Sequence, residues 1–263
     1  MKIVVCVKYV PDAQADRRFT ADNRVDRAGV DGLLSELDEY AVEAAVTLAE
    51  AGDGHTVTAV TMGPEQAETA IRKALQMGAD AGVHVLDDAL AGADAIATAK
   101  VLAAAIARLE PDLVLAGMAS TDAGTSVVPA MIAARLGLPQ LTFAGSLEID
   151  GAGPGALVRI QRDGDTSTEV IESALPALVS VTDQINEPRY PNFKGIMGAK
   201  KKPVEVLGLA ELGLAADQVG GAAAWSAVAE ITKRPGRQAG QRITDDGTAG
   251  TQLVAYLAGA KLI

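Results

Sequence analysis

Ser120, Thr121, Asp122, Gly124, Thr125 and Ser126 share one polar loop between two apolar runs. Small hydroxyl residues and a glycine in that setting suit the binding of a phosphate. Residues 113–116 ahead of the loop are fully apolar, as a buried parallel strand is, and the run breaks at Gly117. Behind the loop, residues 127–136 read as a helix, with Val127, Met131, Ala134 and Leu138 at helical spacing. Strand, small-residue loop and helix together aim backbone N–H groups and a positive dipole end at one spot beyond the strand's carboxyl edge, where phosphates bind. Many α/β proteins carry such turns with nothing in them. Neither GxxxxGK[ST] nor GxGxxG occurs, so this stretch alone names no ligand.

Other chemistry is scarce. A single cysteine, Cys6, excludes an internal disulfide and a cysteine metal cluster and fits a reducing compartment. On an apolar strand it reads as a packing residue rather than a reactive thiol. His55 and His84 are too few and too separated for a metal site, and no acid/base pair or activated nucleophile stands out. The expectation is a chain with no catalysis of its own and no metal. A net charge of −11 argues against nonspecific binding to nucleic acid or to an anionic membrane. No charge-free apolar run is long enough to span a bilayer, and the start MKIVVCVKYV lacks the features of a signal peptide. We therefore expect a soluble cytoplasmic protein without membrane insertion.

The elements that must position the loop follow from periodicity. The composition is 49% hydrophobic but only 3% aromatic, so the core is built from Ala, Val, Leu and Ile. Residues 3–7 open as a buried strand ended by Pro11, and residues 12–31 are a polar surface excursion. Ser35, Asp38 and Glu39 stand where a cap and first-turn acids belong. The helix they begin has Leu37, Ala41, Ala44, Ala45 and Leu48 as its stripe. A strand at 56–62, a helix at 65–77 with Ala70, Ile71, Ala74 and Leu75 inward, a strand at 82–86 and an Ala-rich helix at 94–109 follow. This alternation predicts an α/β fold, a mostly parallel sheet with helices on both faces in a Rossmann-like arrangement.

From residue 141 the pattern changes. Segments 141–149, 157–161 and 168–171, punctuated by turn dipeptides, predict an antiparallel meander appended to that sheet, and residues 178–181 return to a buried strand. Residues 183–203 are interrupted by Pro188, Pro191 and Gly195 and read as a loop in which Tyr190 and Phe193 either pack back on the domain or anchor a partner. Lys200, Lys201 and Lys202 read as a solvated charge run. Residues 1–219 are thus expected to form the α/β domain. Residues 220–263, apolar yet without a core of their own, are expected to form an extended C-terminal arm that docks elsewhere.

Asn186-Glu187-Pro188-Arg189-Tyr190, then Gly195-Ile196-Met197 and Lys200-Lys201-Lys202, resemble the β subunit of electron-transfer flavoproteins. The likeness extends to residues 7–12, 38–43, 73–80 and the stretch around Gly117, in register over about residues 1–205. It implies an electron-transport role as half of a heterodimer, in which an α subunit holds the redox FAD. The β subunit would bind AMP structurally, support that FAD and dock on flavin-dependent dehydrogenases such as acyl-CoA dehydrogenases, with a quinone oxidoreductase downstream.

Carried over by motif, the nucleotide's surroundings would be Cys6, Ser35, Leu37, Asp38, Met62, Gly117, Met118, Asp122, Gly124, Thr125, Ser126, Val127 and Val128, with residues 122–126 cradling the phosphate. Val127 and Val128 depart from polar residues that some relatives carry. The dehydrogenase-recognition loop would be 189–198, with Arg189, Tyr190, Phe193, Ile196 and Met197, and Phe193 at the apolar anchor position. Two alternatives remain: an electron-bifurcating β subunit with a second FAD in place of AMP, or a free-standing adenine-nucleotide-binding module. The second leaves residues 186–202 without a purpose.

Overall fold

The apolar runs of the first half fold as β1 (Lys2–Cys6), β4 (Thr56–Met62), β5 (Ala81–Val85) and β6 (Leu113–Gly117), in the computed structural model of this chain, which describes every residue except 152, 154 and 241. With β7 (Gln140–Ala144), β11 (Ala177–Val181) and β12 (Val204–Leu207) they make a parallel sheet in the order β12-β5-β4-β1-β6-β11-β7. The expected α/β architecture is what forms. Strands β6 and β11 are buried at all five residues, the signature of a strand covered on both faces.

The two covers separate by residue parity. Ile3 and Val5 of β1 pack with Ala41, Val42 and Ala45 of α1 (Glu36–Glu50) and with Ala70, Ile71, Ala74 and Leu75 of α2 (Glu68–Met77). Val4 faces the other way, into the layer of α3 (Ala95–Ala107) and α4 (Val128–Leu136). The inward face of α4 is Pro129, Ile132 and Ala133. The expected stripe of Val127, Met131, Ala134 and Leu138 lies to one side of it, because the helix starts at Val128 and Val127 is its N-cap.

The reading of 141–149 as one meander strand is corrected. The chain turns at Gly145, with Phe143 in the left-handed region (φ 61°), and β7 joins the parallel sheet beside β11. Leu141 and Ala144 are buried, and from Ser146 the alternating exposure of a one-sided sheet begins. The antiparallel sheet is β8 (Ser146–Asp150), β9 (Leu157–Asp163) and β10 (Thr168–Ala174), with Val158 and Ile160 buried on one side. The cross-strand pair Arg159–Glu172 is on the other, whereas Arg162–Glu169 continues the row of Val158 and Ile160. Strand β12 was not legible, since only Leu207 of its four residues is buried.

The polar excursion is closed by β2 (Tyr9–Pro11) pairing with β3 (Gly32–Leu34). Residues 183–203 are not all loop. Asn192 accepts a hydrogen bond from the Gly195 N–H at 2.8 Å and caps a helix, α5 (Phe193–Ala199). The chain divides into two units, Met1–Ala229 and Glu230–Ile263. The first therefore extends past residue 219. Asp94 holds the backbone N–H groups of Trp225 (2.8 Å) and Ser226 (3.1 Å) while capping α3 through Ala97, and Asn23 donates to the Ala229 carbonyl. In the second unit α6 (Ala249–Gly259) has no buried residue. Among the described residues no helix is long and apolar enough to cross a membrane.

Candidate functional site

The chain leaves β1 toward β4 and β5 on one side and later returns to place β6 on the other. The crevice beyond the carboxyl ends of β1 and β6 is thus the topological switch point, where open α/β sheets take their ligands. Most of the expected site residues meet there. Cys6 ends β1, Gly117 ends β6, and Ser35 and Asp38 begin α1. Met62 lies two positions beyond the Cys6–Val60 pairing on β4, and Met118 is fixed by its N–H to the Val181 carbonyl at 2.9 Å.

Asp122 organises the loop. Its side chain is fully enclosed and accepts Lys8 Nζ at 2.8 Å and Arg27 Nε at 2.9 Å. Burial by itself would raise this carboxyl, but the charges and hydrogen bonds of Lys8 and Arg27 outweigh it and hold it well below the usual carboxylate range. Arg17 donates to the Thr121 carbonyl at 2.7 Å, leaving its other terminal nitrogen buried without a partner. The Asp122 carboxylate is committed to the two cations it holds in place. Lys8, Arg17 and Arg27 were absent from the expected site. A signal existed: four arginines, at 17, 18, 24 and 27, fall in a short stretch of an otherwise acidic chain.

Asp38 is the second enclosed carboxylate. It accepts the Lys8 N–H at 2.9 Å. Burial raises it to about 7, opposed by the Lys8 backbone and charge and by the Gly117 N–H, and assisted by Asp122. Gly117 must be glycine because a Cβ there would sit 2.6 Å from Asp38 Oδ1 and 2.7 Å from the Leu37 carbonyl. Burial, and then the charge of Asp38, push the Cys6 thiol up to about 12, so no thiolate is available. Ser35 occupies the N-cap position of α1, yet its hydroxyl does not cap the helix; it accepts the Thr121 N–H at 3.3 Å.

Four helices, α1 to α4, begin at this edge, and their ends differ. Asp94 closes the start of α3, whereas α1, α2 and α4 have no side-chain cap. Leading into α4, Gly124 (φ 60°) and Ser126 (φ 56°) take left-handed backbone, and the Ala123 and Gly124 N–H groups are spent on Asp122 and Ser120. The first-turn N–H groups of α4 have no intrahelical acceptor, and Thr125 beside them is exposed.

The expected recognition residues sit elsewhere and form a different kind of surface. Tyr190 is 94% exposed and Phe193 79%, with Ile196 and Met197 beside them on α5. Arg189 does not share that exposure. Its guanidinium reaches Glu43 at 2.8 Å and Glu50 at 2.7 Å on α1, and both glutamates are held below their ordinary range by it. Lys202 is also not the solvated residue expected. It donates to three carbonyls at the end of α2, those of Leu75, Gly78 and Ala79.

Comparison with known proteins identifies the family. The family profile described as "Electron transfer flavoprotein domain" matches residues 22–212. The chain is 48% identical over 267 aligned residues to the electron transfer flavoprotein subunit beta of Mycobacterium leprae (strain TN), covering 99% of both chains. It is 47% identical to that of Mycobacterium tuberculosis (strain ATCC 25618 / H37Rv), again with 99% of each covered. It is 32% identical to that of Megasphaera elsdenii, with 100% of each covered. The chain belongs to the electron transfer flavoprotein β-subunit family.

Proposed function

We propose that this chain is the β half of a heterodimer with an electron-transfer flavoprotein α subunit and works in the cytoplasm. It holds AMP at the switch point, supports the FAD held mainly by the α subunit, and docks on flavin-dependent dehydrogenases, acyl-CoA dehydrogenases among them, to receive their electrons for a quinone oxidoreductase. It carries no catalysis of its own. One observation supports the nucleotide site above the rest. At the β1–β6 crevice Lys8, Arg17 and Arg27 bring three cations to two enclosed carboxylates, one of them with its pKa raised to about 7, beside the uncapped starts of α1 and α4. That surplus of positive charge and open N–H groups is satisfied by a phosphate. The nucleotide is structural in this reading: the nearest thiol is held protonated, and both enclosed carboxylates are committed to Lys8, Asp38 through its N–H and Asp122 through its ammonium.

The C-terminal unit supports the heterodimer. Leu253, Val254, Tyr256, Leu262 and Ile263 are all exposed, and an apolar surface of this kind marks an interaction site. We infer that the arm packs on the α subunit. Size-exclusion chromatography of the co-expressed pair tests it: the full chain elutes as a one-to-one complex, and a chain ending at Ala229 elutes apart from its partner. A truncated chain that still ran as a stable complex with full flavin would remove the arm from this account.

A further inference from the structure

The segment from Asn186 to Lys202 is fastened to the α/β unit at both ends while its middle is left uncovered. At the entry, Asn186 donates to the Tyr40 carbonyl at 3.0 Å, and Arg189 forks across Glu43 and Glu50, seven residues apart on α1. In the middle, Gly195 lies so close to α2 that a Cβ would come 2.6 Å from the Gln76 carbonyl. At the exit, Arg72 of α2 donates to the carbonyls of Ala199 and Lys202, each at 3.3 Å. There the Lys202 ammonium also spends its three donors on Leu75 (3.1 Å), Gly78 (3.2 Å) and Ala79 (2.5 Å). These carbonyls lie in the last turn of α2 and just past it, where the helix has no basic residue of its own. Burial lowers the Lys202 pKa, in keeping with an ammonium turned inward.

Ion pairs at a surface are ordinarily worth little. These differ because they concentrate on the two ends of one seven-residue helix. A helix that short does not hold its shape by itself in water. Its exposed Phe193, Ile196 and Met197 can act as one face only if the ends are fixed, since ordering a mobile segment on contact would be charged against affinity.

We propose that Arg189 and Lys202 are positioning residues: they preorganise the apolar face of α5 and thereby set the affinity of dehydrogenase docking without touching the dehydrogenase. The inference rests on the docking role given above, and it assigns Arg189 and Lys202 to holding the segment rather than to touching a partner.

The test uses the flavin-loaded heterodimer with Lys202→Met, Arg189→Gln and, as the contact control, Phe193→Ala. Two quantities are read: amide hydrogen exchange over residues 193–199, and the KM and kcat for reduction by a reduced acyl-CoA dehydrogenase of the same organism. Lys202→Met and Arg189→Gln should speed exchange in α5 and raise KM about tenfold, the size of one lost charge-assisted hydrogen bond. In the same variants kcat should stay within about twofold, as loss of uniform binding requires. Phe193→Ala should raise KM with exchange unchanged. Faster exchange with an unchanged KM, while Phe193→Ala still weakens docking, overturns the positioning role and leaves the docking role standing. Unchanged exchange in both charge variants also overturns it. If Phe193→Ala leaves KM unchanged as well, the docking role itself fails. Should Lys202→Met not fold, Arg189→Gln decides alone.

Discussion

The crevice beyond β1 and β6 and the outer face of α5 use the same materials in opposite ways. In the crevice, Asp122 takes Lys8 and Arg27 into pairs with its own side chain fully enclosed, and the helix starts around it are left uncapped. On α5, Asn192 caps the start, Arg189 and Lys202 are consumed by α1 and α2, and what is left uncovered is aromatic and aliphatic. One region leaves N–H groups and an arginine nitrogen without partners, the other leaves carbon uncovered. The proposed function assigns an anion to the first and an apolar partner to the second.

Closing the open helix is the strongest way to break that contrast. Val127→Asp places a carboxylate at the N-cap of α4, within reach of the Ala130 N–H, since Pro129 has none. Helix and apoprotein should gain about 1 kcal/mol. Affinity for the nucleotide should fall by at least about a hundredfold, because the filled donor and the added charge both oppose phosphate. Nucleotide content after purification, beside the Tm of the stripped protein, checks both signs.

At the other region Phe193→Ala removes a large exposed apolar group. It should cost roughly 2 kcal/mol of docking, about thirtyfold in KM for a dehydrogenase, with flavin content unchanged. If Phe193→Ala emptied the crevice, or Val127→Asp weakened docking, the two regions would not be independent.

How much of this was legible before the structure depends on the kind of signal. Strands β1, β4 and β6 and the inward faces of α1 and α2 follow from apolar runs and helical spacing, so the α/β architecture was legible. Cys6, Ser35, Asp38 and Gly117 reach one crevice because strand order brings them there, and their motifs had already grouped them. Arg17 and Arg27 were missed because their role is set by a loop more than ninety residues away. Helix α5 was hidden by Pro191 and Gly195, residues that break a helix by propensity. Its cap, Asn192, and its packing on α2 overrule that propensity. Strand β12 showed too little apolar pattern, and β7 merged with β8 in sequence because Gly145 alone divides them.

Smaller effects sharpen the crevice side. Asp122→Asn leaves Lys8 and Arg27 without their carboxylate. Both cations are partly exposed, so the loss of stability should be roughly 1–2 kcal/mol, a drop of a few degrees in Tm. The native Asp122 pKa lies below its unfolded value, so its contribution is present at neutral pH and lost only as pH falls below about 4. Asp38 has the reverse sign. Its folded pKa of about 7 lies above the unfolded value, so stability declines as pH rises from about 4 to about 7 and levels off beyond. Asp38→Asn should flatten that decline and raise Tm at pH 8 by a few degrees relative to the native chain. Thermal melts from pH 4 to 9 measure both slopes.

The central claim, that the crevice holds a nucleotide that does not react, is tested most directly by releasing the ligands of the purified heterodimer with acid and separating them chromatographically against the protein concentration. The account gives one FAD and one AMP per heterodimer, with AMP alone lost in Val127→Asp and the remaining flavin still reducible by a dehydrogenase. Two FAD per heterodimer, or no adenine nucleotide beyond the single FAD, would contradict it.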